Sequence, residues 1–81
     1  MYYLLGTQGC HLCEIAEHLL NECRAIRTDF SIKPIDIAEQ TQWQADYDTL
    51  IPVLLHVKTN KFLNWPFTQN DIITFLENYH D

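Results

Sequence analysis

Two cysteines three positions apart, Cys10 and Cys13, bracket His11 and Leu12 where a short apolar run and a glycine-containing turn give way to a helical pattern. On the first turn of a helix, thiols at this spacing share a face. They then lie close to the Cα separation of roughly 5.5–6 Å that a disulfide prefers. Cys10 falls at the helix start, where unpaired backbone N–H groups and the positive end of the helix dipole favour a thiolate over a thiol. The chemistry this permits is thiol–disulfide exchange, with Cys10 as nucleophile and Cys13 as the resolving thiol that displaces the mixed disulfide. His11, when protonated, favours the Cys10 thiolate further; Glu14, one turn beyond, opposes it. Two plainer readings are an inert pair of core cysteines and half of a zinc site. Zinc takes about four ligands. Beyond this pair the chain has only Cys23 and scattered histidines, with no second Cys-x-x-Cys and no His-x-x-x-His, so no metal site is expected unless a dimer completes one.

The elements that must position the pair follow from periodicity. Tyr2, Tyr3, Leu4 and Leu5 form a strand-like run ending at Gly6, and Gly6-Thr7-Gln8-Gly9 reads as a turn. From Cys10 onward Leu12, Ile15, Ala16, Leu19, Leu20, Cys23 and Ile26 recur at helical steps, with Glu14, Glu17, His18 and Glu22 between them. Acidic residues early and Arg24 and Arg27 late match the helix dipole. Cys23 continues the apolar stripe and reads as a buried, unreactive thiol. His18, His56 and His80 receive no role.

A second strand is expected near residues 29–35, with Pro34 suited to a sheet edge or strand end. Residues 37–47 read as a short irregular helix capped by Asp36. Residues 51–57 and 62–65, separated by Lys58-Thr59-Asn60-Lys61, form a hairpin signal. Pro66 stops the last strand, Thr68 can cap with Asp71 three residues on, and Ile72, Ile73, Phe75, Leu76 and Tyr79 give a final helical stripe. The order is β-α-β-α-β-β-α. A right-handed crossover makes the first two strands parallel, and the short turn makes the last two antiparallel. This predicts one α/β domain spanning residues 1–81, with a four-stranded mixed sheet inside a three-layer sandwich.

Composition narrows the setting. An 81-residue chain that is 47% hydrophobic can form one modest core and no second domain. Its longest apolar run, residues 50–57, falls well short of the roughly 20 residues of a membrane span, and the N-terminus lacks the pattern of a secretory signal. Three cysteines do not make a secreted disulfide framework, so a cytoplasmic location is expected. Eleven acidic against five basic residues give a net charge of −6, which argues against a nucleic-acid groove. A monomer is expected.

A strand, a Cys-x-x-Cys at a helix start and Ile51-Pro52-Val53 opening a later strand together resemble the thioredoxin superfamily, with glutaredoxins closest in size. Gly9-Cys10-His11-Leu12-Cys13, Ile51-Pro52-Val53 and Asn64-Trp65-Pro66-Phe67 are similar to a group of short bacterial glutaredoxin-like proteins of poorly defined function. The resemblance covers essentially the whole chain and implies a thioredoxin-like, glutaredoxin-like fold. It also implies that Pro52 is cis and that the backbone of Ile51 pairs with a bound substrate chain.

The departures bear on the partner. Glutaredoxins carry Cys-Pro-Tyr-Cys preceded by a lysine, and a Gly-Gly with acidic residues that cradle glutathione. Here His11 and Leu12 fill the middle pair, Gln8 stands near the lysine position, and Trp65-Pro66-Phe67-Thr68 replaces the glycines. The expected topology also sends Arg24, Arg27, Lys33, Lys58 and Lys61 to the end of the sheet opposite Cys10. Glutathione, with two carboxylates, serves at most as a reductant and is expected to bind weakly; no bound cofactor is expected. Trp65 and Phe67 are expected beside the dithiol, joining Ile51 and Pro52 in a mouth suited to a protein or small-molecule disulfide. The alternative is a binding or adaptor module whose dithiol is vestigial or regulatory.

Overall fold

The structure is a computed structural model that describes residues 1–26 and 30–79. Strands β1 (Tyr2–Gly6), β2 (Ile32–Asp36), β3 (Val53–His56) and β4 (Lys61–Asn64) form one sheet in the order β2-β1-β3-β4. β1 runs parallel to β2 and antiparallel to β3, and β3 runs antiparallel to β4. Helices α1 (His11–Ile26) and α3 (Gln69–Asn78) pack on one face; a 3₁₀ turn, Thr41–Trp43, leads into the single-turn α2 (Gln44–Tyr47) on the other.

Strand alternation divides the core into two. Tyr2, Leu4 and Leu54 point towards α1 and α3 and pack with Ala16, Leu20, Ile72 and Leu76. Leu5, Val53 and Leu55 point the other way and pack with Ile35, Ile37 and Tyr47. Three layers and a mixed four-stranded sheet are what the periodicity predicts.

β2 begins at Ile32. Arg27 and Asp29, to which the sequence reading assigned a place, lie outside the described residues, as does His80. Pro34 sits in an edge strand for a reason that can be counted along the ladder. Tyr2 N–H donates to Ser31 C=O at 3.0 Å and Ile37 N–H donates to Gly6 C=O at 2.9 Å. That phase aims the N–H groups of residues 33, 35 and 37 at β1 and those of 32, 34 and 36 outward. A residue without an N–H costs the sheet nothing at position 34.

The expected helix over residues 37–47 is shorter. Ile37 continues the ladder to Gly6 and is buried at 4% exposure in the core, so helix cannot begin there. Asp36 caps a turn instead: its Oδ1 accepts from Ala38 N–H at 2.9 Å, and its carbonyl accepts from Glu39 and Gln40 N–H at 3.1 and 3.0 Å.

α3 starts as its sequence predicts. Thr68 Oγ1 accepts from Asp71 N–H at 3.1 Å and Asp71 Oδ2 accepts from Thr68 N–H at 2.9 Å, a reciprocal capping box. Thr68→Ala removes one half and is expected to lower unfolding free energy by about 1 kcal/mol, read from urea titration. No change would mean that water replaces the hydroxyl.

Candidate functional site

β1 carries the chain to the end of the sheet where the residue 6–9 turn feeds α1. Gly9 has φ of 78°, a left-handed conformation that disfavours a side chain. Gly6 is needed for a different reason: a Cβ there would lie 3.0 Å from Cys13 Sγ. The sulfur thus takes the space that a side chain at the strand end would need.

Cys10 and Cys13 are joined by a disulfide with Cα atoms 5.2 Å apart. Cys10 occupies the position just before α1, and its carbonyl accepts the first helical bond, from Glu14 N–H at 3.2 Å. Its sulfur accepts from Cys13 N–H at 3.2 Å, taking the place that a serine or aspartate oxygen fills at a helix start. A sulfur held there faces the unpaired N–H groups and positive dipole end of a sixteen-residue helix. Cys10 is half-buried, whereas Cys13 is buried against Gly6.

His11 Nδ1 lies 3.9 Å from Glu14 Oε2, with both side chains largely in solvent, where such a pair contributes little stability. A cleft of about 410 Å³ opens beside the disulfide. Cys10 and Cys13 line it together with Glu14 and Glu17 from α1 and Asp36 and Glu39 from the end of β2 and its turn. No lysine or arginine among the described residues does so. The acidic wall was not singled out from sequence. The available signal was the parallel crossover, which brings the C-terminal end of β2 level with the C-terminal end of β1.

On the other side, Val53 pairs with Leu5, so Pro52 lies at the dithiol end of the sheet, and the Ile51–Pro52 bond is cis. The Trp65–Pro66 bond is also cis, which the sequence did not signal. Asn64 pairs with Val53, placing Trp65 at the same end. Trp65 is half-buried and meets Phe67 edge to face, with ring centroids 5.1 Å apart. Phe67 departs from the expectation for a mouth residue. It is 4% exposed and belongs to the helix-side core, because α3 begins two residues later and draws its ring under the sheet. Its ring packs against Trp65, and Pro66 between them is exposed.

The Glutaredoxin-like domain (DUF836) profile matches residues 2–77. The chain belongs to this family. Its fold is thioredoxin-like. The glutaredoxin-like chain is similar to XcR50 from X. campestris, whose X-ray structure has a TM-score of 0.80, 24% identity, and 96% and 97% coverage of this chain and that one. It is also similar to protein Ne2328 from Nitrosomonas europaea, whose solution structure has a TM-score of 0.75, 25% identity, and 91% and 87% coverage. No curated protein matches it in sequence. No helix among the described residues of this glutaredoxin-like chain is long and apolar enough to cross a membrane.

The third cysteine is set apart. Cys23 is fully buried between α1 and α3, with Sγ 4.0 Å from Gln69 C=O, and burial, aided by the Glu22 charge, pushes its thiol above the ordinary range. Burial, with Asp46, likewise pushes the Tyr47 hydroxyl above 10.0. For both groups folding favours the protonated form. Their contribution is therefore fully present below the unfolded values and is lost as pH rises through the folded ones. Stability is expected to fall above about pH 9. After reduction, iodoacetamide is expected to label Cys10 and spare Cys23 until the chain is unfolded, as read by peptide mass spectrometry.

Proposed function

We propose that this glutaredoxin-like protein is a small thiol–disulfide oxidoreductase in which Cys10 is the nucleophile and Cys13 the resolving thiol. The observation that carries the reading is the Cys10 sulfur: it ends a helix, accepts the Cys13 N–H and is bonded to the more deeply buried Cys13. The helix terminus favours a thiolate at Cys10, and its greater exposure gives a partner sulfur access to that cysteine first. The catalytic pair works without a resident cofactor or metal.

In the reduced protein the Cys10 thiolate attacks one sulfur of a partner disulfide. The partner S–S bond breaks, one thiolate leaves, and a mixed disulfide forms at Cys10. Cys13, as thiolate, then attacks the Cys10 sulfur, closing Cys10–Cys13 and releasing the second thiolate. Two electrons pass from protein to partner, and the two protons given up by the cysteines end on the two product thiols. An external thiol reductant, with glutathione one candidate, restores the dithiol by the reverse sequence.

His11 tunes the nucleophile by its charge state, and the Ile51 backbone, Pro52 and Trp65 guide the partner on the side away from the acidic cleft. The partner is a protein or small-molecule disulfide, met by a cytoplasmic monomer, with no role for nucleic acid or membrane. The test is the rate of Cys10 alkylation against pH, measured with the dithiol reduction potential. Cys10 is expected to titrate below the ordinary thiol value of roughly 8.5 and to form its disulfide reversibly. A Cys10 titrating at or above that value, with no reversible disulfide, would sink the reading and leave a binding module.

A further inference from the structure

The cleft of about 410 Å³ beside the disulfide has acid on two independent elements: Glu14 and Glu17 on α1, and Asp36 and Glu39 at the end of β2 and in its turn. A solvated helix face would account for the first pair alone. It does not account for a second pair, from the far side of the crossover, converging on the same concavity that Cys10 and Cys13 line. The described cations are sited elsewhere. Lys33 pairs with Tyr3 and Lys61 with His56 in the sheet register, towards the end remote from Cys10, and neither Arg24 nor Lys58 lines this cleft.

A disulfide that reacts at Cys10 has two halves, and while one lies along Ile51, Pro52 and Trp65 the other reaches these walls. Anionic substituents are repelled by four carboxylates gathered around one concave space, and cationic ones are drawn towards them. We infer that the partner carries positive charge beside its reacting sulfur, either as a cystine flanked by lysine or arginine or as a small disulfide bearing amines. This rests on the exchange reaction proposed above and names the substrate class for it. The same walls are expected to disfavour glutathione disulfide, whose carboxylates outnumber its amines.

The test follows oxidation of the reduced protein by three small disulfides: cystamine, a dication; bis(2-hydroxyethyl) disulfide, neutral; and dithiodiglycolate, a dianion. Each rate is divided by that of the same disulfide with 2-mercaptoethanol, which removes intrinsic reactivity. At ~0.01 M salt the normalised rate for cystamine is expected to exceed that for dithiodiglycolate by about tenfold or more, shrinking to about twofold at ~1 M salt. The Glu17→Lys/Glu39→Lys double variant, which leaves two carboxylates balanced by two lysines, is expected to abolish the preference; should it fail to fold, the salt dependence of the unaltered protein decides alone. A parallel arm uses disulfide-linked dimers of tripeptides with cysteine between two lysines or two glutamates. Preference for the lysine dimer supports a polypeptide partner, and preference confined to cystamine supports a small amine disulfide. Equal normalised rates for cation and anion overturn the inference while leaving exchange intact. No reaction with any disulfide, the neutral one included, overturns both.

Discussion

Cys10→Ser is expected to abolish disulfide exchange, lowering its rate by about a thousandfold or more, whereas Cys13→Ser is expected to stop the reaction halfway. Serine preserves the cap at the start of α1, since its oxygen can accept the Cys13 N–H that the Cys10 sulfur accepts at 3.2 Å. The fold is therefore retained while the nucleophile is lost. Serine at position 13 leaves the nucleophile and removes the group that resolves its adduct. Mixed disulfide then accumulates at Cys10, visible in an intact-mass spectrum as a stoichiometric increment that dithiothreitol reverses. Adduct on Cys13 in the Cys10→Ser protein, and none on Cys10 in the other, would reverse the two roles.

The second large effect is on the core. Leu54 is fully buried on the central strand β3 and packs in the layer that holds Ala16 and Leu20 of α1 against the sheet. Leu54→Ala is expected to cost about 3–4 kcal/mol, from lost transfer energy and the cavity left behind. At roughly 0.05–0.15 kcal/mol per residue, a domain of 81 residues has about 4–12 kcal/mol in all, so this one change consumes much of the margin. Leu12→Ala, at a site 45% exposed, is the control and is expected to cost under about 1 kcal/mol. Thermal unfolding followed by circular dichroism separates them. Similar losses at both positions would mean that Leu12 contributes packing its exposure does not show.

The sequence made the architecture readable because its strongest signals are local. The apolar stripe from Leu12 to Ile26 specifies α1, Thr68 with Asp71 specifies the start of α3, and the short polar turn between two apolar runs specifies the antiparallel β3–β4 pair. Where reading failed, a long-range contact had overridden a local preference. Asp36 has the chemistry of a helix cap, yet the ladder bond from Ile37 to Gly6 keeps the chain extended past it. Phe67 lies in a segment rich in turn formers, yet its ring is taken up by the core under α3. At the site, Cys10 and Cys13 were legible because the chemistry of the pair is written within four residues. The cleft wall was not, because Glu14 and Asp36 come to line one cleft only after the crossover brings two strand ends level.

The outward row of donors on β2 interrupted at Pro34 bears on how this chain behaves when many copies are present. An exposed strand is a template for a second one, and growth along such edges leads to insoluble aggregates. An incoming strand aligned on β2 would find no N–H at the middle of the five-residue edge and a lysine side chain at the preceding position. The opposite edge, β4, is only four residues long and opens on Lys61. Both ends of the sheet thus discourage fibril-like stacking, so a proline placed where the ladder does not miss it also helps keep newly made copies apart in a crowded cell.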